Sequence, residues 1–286
     1  MRILTNLLFK VTLSSMIVTT PAMITGNNKD ANYDGLVGKE KFPFSTAAVI
    51  KKFVNHDKAM SSPLYKVDKE HAVNLRTAAK SAELSMVISE AVILYNYMSL
   101  EQSGLDEKAF EYAWRGYHNL LKKGMIKKKS VLSICDFTQP SCSKRLYVID
   151  VRHKKLLYRT YVAHGQNSGA EYASSFSNKP ESFKSSLGFY ITKRTYFGRN
   201  GLSLRIEGLD SGFNDLAGKR NIVLHGSSYV SQKFIRNTGA IGTSLGCPAM
   251  PSAVSPKIIR AVKNGSCLFI YHPTQQYLDE SNVING

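Results

Sequence analysis

Length, composition and charge limit the classes of protein to which this chain can belong. It has 286 residues, of which 43% are hydrophobic, so a chain too polar to bury a core is excluded and one or two domains are expected. The formal net charge is +17 and the sequence pI is about 9.7, which favours acidic polymers or anionic surfaces as partners. Charge alone does not choose among these partners, and a solvated basic face explains it equally well.

The first 22 residues predict a secretory signal peptide. Arg2 and Lys10 precede the apolar stretch 11–18, and Thr20, Pro21 and Ala22 follow it with small residues for a cleavage site. Lys10 interrupts the apolar run before it reaches the roughly 20 residues of a membrane anchor, and no later segment is apolar enough to span a bilayer. We therefore expect an exported protein of the periplasm or cell envelope, without a transmembrane segment and without a nucleic-acid partner.

A lead-in and a helical segment are expected next. Residues 23–66 are interpreted as a linker, because their first part is rich in Asn, Gly, Asp and Lys and lacks periodicity. Residues 67–130 are predicted to be helical, with Asp68 as a candidate N-cap of one long helix or two short ones. Their spacing suggests a stripe that packs against a neighbour, formed by Leu75, Ala79, Ala82, Met86 and Ile93.

A further helix is expected after the break at Ser103-Gly104. Asp106 can cap it, Leu105 and Phe110 can form a hydrophobic staple, and Gly124 ends it. The apolar positions that follow recur at helical spacing and predict a packing face, formed by Phe110, Ala113, Trp114, Tyr117, Leu120 and Leu121.

From residue 131 the pattern changes to short strands, which predicts a β-rich domain over 131–273. These segments are rich in Val, Ile, Tyr, Phe and Leu and are separated by Gly, Asn, Ser and Pro. They are Val131–Phe137, Arg145–Val151, Lys155–Ala163, Leu187–Thr192, Ser203–Leu209, Asn221–His225 and Ser266–Tyr271. One helix is expected over Pro256–Lys263. Residues 274–286 are polar and are interpreted as a tail.

The four cysteines offer no metal-ligand spacing. None forms a Cys-x-x-Cys pair and no histidine pair has zinc spacing, so no metal site is expected. Cys135 and Cys142 flank a predicted turn, where export would permit a disulfide, and two free thiols are the alternative. Cys267 is explained by burial in a strand. Cys247 has no evident structural role.

Cys247 and His225 together suggest nucleophilic catalysis. A thiol is only a few per cent ionised at neutral pH, and a neighbouring imidazole that accepts its proton is the usual means of activation. His225 ends a predicted strand and Cys247 follows a glycine in a loop. Either residue alone is better explained as structural, but the pair with a glycine-rich loop indicates acyl transfer through a thioester.

The loop before Cys247 also predicts an oxyanion hole. Gly246 allows close approach of the backbone, and the amides of Leu245, Gly246 and Cys247 are the natural donors. Each such donor typically contributes about 3 kcal/mol to an acyl-transfer barrier.

His225-Gly226, followed by a short helix, a glycine-rich loop and Ser244-Leu245-Gly246-Cys247, resembles the signature of the murein L,D-transpeptidase catalytic-domain family. The resemblance is to its Gly-Cys-Pro-Ala branch and extends from about Leu100 to Pro273. It implies an α+β fold, in which packed mixed β-sheets form a β-rich catalytic domain preceded by the helical segment.

The resemblance also implies a reaction. Cys247 would attack the carbonyl of the L-centre of diaminopimelate in a peptidoglycan stem peptide and expel the terminal D-alanine. The thioester would then pass to an amine of a second stem, which gives a 3-3 cross-link, or to a wall-anchored protein. Alternatives are an L,D-carboxypeptidase or endopeptidase with water as acceptor, and a non-catalytic peptidoglycan-binding module. His225 would be the base and then the acid, Ser244 and Gly226 would shape the site, and no cofactor is implied.

The family's commonest members carry an arginine two residues after the cysteine, where this chain has Ala249. Arg205 or Arg220 is the expected substitute for gripping a substrate carboxylate. Tyr229 is a further candidate for substrate binding, and His164 either lines the cleft or ends a strand structurally. The group that orients His225 stays open among Asn221, Ser227, Asp215 and a backbone carbonyl.

Overall fold

The computed structural model describes residues 69–286, and side chains from residue 72 onward. The expected signal peptide (1–22), the lead-in (23–66) and the Asp68 cap lie outside the described residues. Residues 69–286 contain six α-helices and eight strands. Within this range, no helix is both long and apolar enough to cross a membrane.

Two helices open the described chain. Helix α1 (Lys69–Tyr97) is one continuous helix, and α2 (Glu107–Lys122) follows the break near Gly104. Asp106 caps α2 as predicted, because its side chain accepts the N–H of Ala109 at 2.8 Å. The predicted stripe of α2 is buried except for Leu121, which is half-buried.

The packing face predicted for α1 is wrong. Leu75, Met86 and Ile93 are all more than half exposed, and the contacts with α2 and the core come from the other side of the helix, through Ala91 and Leu94. Helix α1 is apolar on two sides, so the spacing of apolar residues identifies two candidate faces and does not choose between them.

The strands form one mixed sheet in the order β3-β2-β1-β8-β4-β5-β6-β7. Pairs β1·β8 and β6·β7 are parallel, and the other neighbours are antiparallel. The strands are β1 (Val131–Asp136), β2 (Leu146–Asp150), β3 (Lys155–Thr160), β4 (Gly188–Gly198), β5 (Gly201–Gly208), β6 (Val223–Ser227), β7 (Ala249–Pro251) and β8 (Cys267–Tyr271).

The two edges of this sheet meet, so that it is nearly a barrel. The chain leaves β3 at Thr160, and Ala163 then forms an antiparallel bridge with Ala249 of β7. Gly165 forms a second, parallel bridge with Ser244. The strand predicted to continue to Ala163 therefore ends early, because its last residues pair with the opposite edge.

The helical segment and the sheet share one core. Phe189 of β4 stacks on Phe269 of β8 with ring centroids 4.1 Å apart. Helix α2 lies so close to this pair that a Cβ on Gly116 would sit 2.1 Å from Phe189 Cζ. Residues 69–286 accordingly belong to a single compact unit. We propose that the boundary expected at residue 130 separates two layers of one domain.

Four more helices follow the first two along the chain. They are α3 (Gln232–Thr238), α4 (Ser255–Val262), and the C-terminal pair α5 (Gln275–Glu280) and α6 (Asn282–Asn285). Helix α4 matches the helix expected at Pro256–Lys263 to within a residue.

The polar tail expected over 274–286 is wrong, because this segment is α5 and α6 with a buried face. Tyr277, Val283 and Ile284 are buried. Tyr277 and Ser281 donate their hydroxyls to the buried carboxylate of Asp210, at 3.2 and 2.5 Å. The few apolar residues of this segment are spaced for one side of a short helix, and its polar composition conceals them.

All four cysteines are free thiols. Cys135 is buried in β1, and Cys142 Sγ lies 3.9 Å from a carboxylate oxygen of Glu171. Of the two alternatives for Cys135 and Cys142, the structure has the unbridged one.

Candidate active site

Strands β6 and β7 bring His225 and Cys247 to the same place. The two strands are parallel, and His225 is paired with Ala249. Cys247 precedes Ala249 by two residues, so it lies beside Val223, which precedes His225 by two. Because side chains two residues apart in a strand share a face, His225 and Val223 lie on one face of β6.

The Cys247 thiol is bound by main-chain groups of the residues that lead into β6. Val223 N–H donates to Sγ at 3.4 Å, and the thiol lies 3.8 Å from the carbonyl of Asn221. Within residues 69–286 no hydrogen bond joins this thiol to the His225 ring. Burial raises the pKa of Cys247, and the Val223 N–H and the positive charge of Arg220 only partly oppose this effect. The resting form is therefore a neutral thiol.

His225 is buried and held in one orientation. Its Nδ1 lies 3.0 Å from the carbonyl oxygen of Gly226, so Nδ1 carries the proton that it donates and Nε2 is left as an acceptor. Burial lowers the pKa of the ring. Among the alternatives for the orienting group, a backbone carbonyl is the one observed. The imidazole is neutral at neutral pH, and its Nε2 can accept a proton.

Ser244 organises the loop that carries Cys247. Its hydroxyl donates to the Cys247 carbonyl at 2.6 Å and accepts the N–H of Gly246 at 3.0 Å. The Gly246 amide is thus already bonded within the loop. The amides of Leu245 and Cys247 have no acceptor within residues 69–286. Two of the three predicted oxyanion donors are therefore free.

Two glycines of the site are required by close contacts. Gly246 has φ +115°, and a Cβ there would lie 2.8 Å from the carbonyl oxygen of Lys184. A Cβ on Gly226 would lie 2.3 Å from Ser255 Oγ, where helix α4 begins. Gly246 is also in a conformation that residues with a side chain rarely adopt. These contacts explain both glycines without reference to substrate.

Arg220 fixes the long segment between residues 166 and 187 beside the Cys247 loop. Its Nη1 donates to the carbonyl of Ser177 at 2.7 Å and to Ser186 Oγ, and its Nη2 donates to the carbonyl of Lys184 at 2.7 Å. These bonds occupy most of the terminal N–H groups. Arg220 is close enough for its charge to act on the Cys247 thiol, but its bonds are those of a clamp within the protein.

Two of the substrate-binding candidates lie in different surroundings. Arg205 is exposed on β5 and stacks over Tyr196, 4.9 Å from the ring centroid. Tyr229 is half-buried and lies against Gly242, and burial raises its pKa. It is close enough to Cys247 for a thiolate there to raise that pKa slightly further. Tyr229 therefore lies near Cys247, whereas Arg205 lies against a residue of β4, the other strand of its own hairpin.

His164, the third candidate, is buried and has both ring nitrogens bonded within the protein. Nδ1 lies 2.7 Å from Nη2 of Arg145, and Nε2 lies 2.9 Å from the carbonyl of Gly169. Burial and the charge of Arg145 lower its pKa to about 4. These contacts fit a structural role for His164 at the end of a strand, and they do not fit a role in lining the substrate cleft.

The sequence reasoning missed Arg145, which is 0% exposed. A signal was present, because a lone arginine begins the apolar strand segment Arg145-Leu-Tyr-Val-Ile.

Residues 69–286 contain no cluster of three His, Cys, Asp or Glu side chains that could hold a metal ion.

Comparison with known proteins identifies the family. The family model of the L,D-transpeptidase catalytic domain matches residues 101–271, more than half of the chain. No curated protein matches in sequence. The assignment to the Gly-Cys-Pro-Ala branch stays a prediction.

Among solved structures, an L,D-transpeptidase from Mycobacterium smegmatis is similar at 12% identity and a TM-score of 0.31, over 50% of this chain and 59% of that one. An L,D-transpeptidase from Mycobacterium tuberculosis H37Rv is similar at 12% identity and a TM-score of 0.31, over 50% of this chain and 58% of that one. The helical cell shape determining protein Pgp2 from Campylobacter jejuni is similar at 14% identity and a TM-score of 0.33, over 50% of this chain and 48% of that one. This chain thus spans less than two thirds of the length of these neighbours. The match of the family model over residues 101–271 shows that the chain belongs to the L,D-transpeptidase catalytic-domain family.

Proposed function

We propose that this protein is a cysteine-dependent murein L,D-transpeptidase with Cys247 as nucleophile and His225 as general base. The observation that carries the proposal is that parallel strands β6 and β7 place a neutral thiol beside the strand that carries a neutral imidazole, whose Nδ1 is anchored on Gly226. A base anchored in this way keeps its Nε2 lone pair available for the thiol proton. The family acts on peptidoglycan, which supplies the substrate class.

In the acylation step the Sγ–H proton moves to His225 Nε2 while sulfur bonds to the carbonyl carbon of the L-centre of diaminopimelate. The carbonyl oxygen becomes an oxyanion, for which the free amides of Leu245 and Cys247 are the proposed donors. The C–N bond to the terminal D-alanine then breaks, and His225 returns the proton to the leaving amine. The product is a thioester on Cys247 and free D-alanine.

In the second step an acceptor amine attacks the thioester carbonyl. His225 takes a proton from this amine, the C–S bond breaks, and the proton returns to sulfur, which restores the thiol. The resting structure contains no thiol–imidazole hydrogen bond, so a small movement of the Cys247 side chain away from Asn221 has to precede proton transfer. Apo sites with loose catalytic hydrogen bonds are common.

The test compares residues 23–286 with the variants Cys247→Ala and Cys142→Ala. Each is incubated with purified disaccharide tetrapeptide under reducing conditions, and the products are followed by mass spectrometry. We expect a 3-3 linked dimer from the unchanged protein and from Cys142→Ala, which removes the other partly exposed thiol, and none from Cys247→Ala. A tripeptide without dimer would replace the proposal with a carboxypeptidase. The absence of any Cys247-dependent product would leave only a binding module.

We also propose that residues 1–22 direct export and that the basic surface holds the protein near wall carboxylates. The support is the sequence pattern and the net charge, together with the site of action of the family in the cell wall outside the cytoplasm. Binding to isolated sacculi should weaken as NaCl is raised to about 0.5 M, because salt screens exposed charges. Binding that is unchanged at that concentration would contradict an electrostatic attachment.

A further inference from the structure

We propose that Arg145 and His164 are a buried positioning pair that sets the geometry of the Cys247 loop. The inference rests on the proposed function, since it assigns these two residues to the oxyanion loop of that reaction. Neither residue is placed to touch substrate, because both are 1% exposed or less.

The first observation is a buried guanidinium that lies against no carboxylate. Arg145 donates through Nε and Nη2 to the carbonyl of Val162, at 3.1 and 3.0 Å, and through Nη1 to the carbonyl of Gln139 at 2.8 Å. The face of Phe137 lies 4.7 Å from its Cζ. Within residues 69–286 no salt bridge includes Arg145. The carboxylate of Asp136 is near enough to act on this charge but forms no ion pair with it. Burying a charge that is held mainly by dipoles is costly, and such an arrangement is therefore a candidate for a specific role.

The second observation is the contact of Arg145 with His164. Nη2 has only N–H donors, so His164 Nδ1 must accept, and Nε2–H then donates to the Gly169 carbonyl. One tautomer satisfies both bonds. With a pKa of about 4 the ring stays neutral over the working range, so it does not carry protons and its contribution is geometric.

The third observation connects His164 to the nucleophile. Its main-chain carbonyl accepts the N–H of Ser244 at 2.9 Å, and the Ser244 carbonyl accepts the N–H of Gln166 at 2.8 Å. Ala163 N–H donates to the Ala249 carbonyl at 2.8 Å, on the other side of the loop. Main-chain hydrogen bonds from segment 163–166 therefore hold both Ser244 and Ala249 in place.

Ser244 passes this placement on to the nucleophile. Its hydroxyl bonds both the Gly246 amide and the Cys247 carbonyl. A shift of the His164 carbonyl would thus move Ser244 and turn the free amides of Leu245 and Cys247. A misplacement of about 1 Å in a catalytic group can reduce a rate by roughly 10²-fold.

The test separates loop geometry from thiol reactivity. Acylation of Cys247, by disaccharide tetrapeptide or by imipenem as a β-lactam probe, needs the oxyanion donors, whereas alkylation by iodoacetamide needs only the thiol. The measured quantity is the ratio of the two rate constants, obtained by mass spectrometry of the intact protein. His164→Leu removes the acceptor for Arg145, and His164→Asn keeps an acceptor oxygen at the position of Nδ1. Arg145→Lys is a second, independent variant.

We expect His164→Leu to lower the acylation rate by roughly 10²-fold and the alkylation rate by less than about threefold. His164→Asn should recover at least about a tenth of the wild-type acylation rate, and Arg145→Lys should lower the ratio in the same direction as His164→Leu. Far-UV circular dichroism confirms that the variants are folded. If His164→Leu does not fold, the prediction is decided by Arg145→Lys and His164→Asn.

An unchanged ratio in folded variants would overturn the inference while leaving the proposed function intact. Equal losses of acylation and alkylation would overturn it as well, because they would indicate a general loss of structure. If the wild-type protein is acylated by neither reagent while iodoacetamide still alkylates Cys247, the proposed function itself fails, and the inference fails with it.

Discussion

The Cys247 thiol accepts a hydrogen bond from the main-chain N–H of Val223 at 3.4 Å, two residues before the His225 that is proposed to deprotonate it. The proposed nucleophile is therefore held by the same strand that carries the proposed base. Backbone contacts fix the sulfur without ionising it, because burial keeps the pKa of Cys247 above its usual value. In the proposed reaction, activation then occurs during attack, by transfer of the proton to a His225 ring that burial keeps neutral.

The pH dependence of the site follows from these two shifts. Because the pKa of His225 is lowered from 6.5, the midpoint of the acid-side fall in kcat/KM for acylation should lie below pH 6.5. Because the pKa of Cys247 is raised from 9.0, alkylation by iodoacetamide should still increase above pH 9. Stopped-flow acylation and timed alkylation measure the two profiles. An alkylation rate that is already at its maximum at pH 7 would indicate a preformed thiolate instead.

Gly246→Ala should abolish most of the acylation activity. The new Cβ would lie 2.8 Å from the Lys184 carbonyl oxygen in a residue with φ +115°, so the loop has to move. Since the amides on either side are the proposed oxyanion donors, we expect a loss of roughly 10² to 10³-fold in kcat. Gly218→Ala is the matched control, because a Cβ there meets nothing within 4 Å. Similar kinetics for the two variants would argue against a tightly fitted loop.

Arg220→Lys should loosen the segment that Arg220 clamps. An ammonium cannot reproduce the bonds that Nη1 and Nη2 make together to Ser177, Ser186 and Lys184. We expect a decrease of about 2 kcal/mol in the free energy of unfolding, measured by urea denaturation, since hydrogen bonds to charged groups contribute on this order. Limited proteolysis should cut within 166–187 sooner. The exposed neighbour Lys219→Ala is the control, and equal proteolysis of both variants would contradict the clamp.

The buried state of His164 predicts that stability falls in mild acid. Its pKa is about 4 in the folded protein and 6.5 in the unfolded chain, so the unfolded chain binds more protons between these values. The stabilisation is complete above pH 6.5 and is lost progressively as the pH falls towards 4, by about 3 kcal/mol in total. Urea denaturation of wild type and His164→Asn at pH 7 and pH 4.5 measures it. The decrease should be smaller in the variant, and equal decreases would show that other groups cause it.

Local sequence patterns were sufficient to predict the helices and strands whose formation depends on the residues of one segment. The α2 cap at Asp106, the strand segments from Val131 onward and helix α4 follow from turn residues, caps and β-branched runs. The order of His225 before Cys247 around a glycine-rich loop was enough to suggest the chemistry and the family.

Sequence patterns failed to predict which face of a helix is buried where the packing partner is distant in sequence. The exposed face of α1 and the buried face of α5 and α6 depend on which surface lies next to each helix. Strand β7 has only three residues, too few for a recognisable period.

By itself, then, the sequence determined the family, the candidate nucleophile and base, and the order of most strands along the chain. Only the tertiary structure decided that Gly226 O orients His225, that Gly246 N–H is already bonded, and that the His164 carbonyl accepts the N–H of Ser244. The physical reason is that hydrogen bonds between main-chain groups carry no residue signature. They arise only when closure of the sheet brings segment 163–166 against the residues around Cys247.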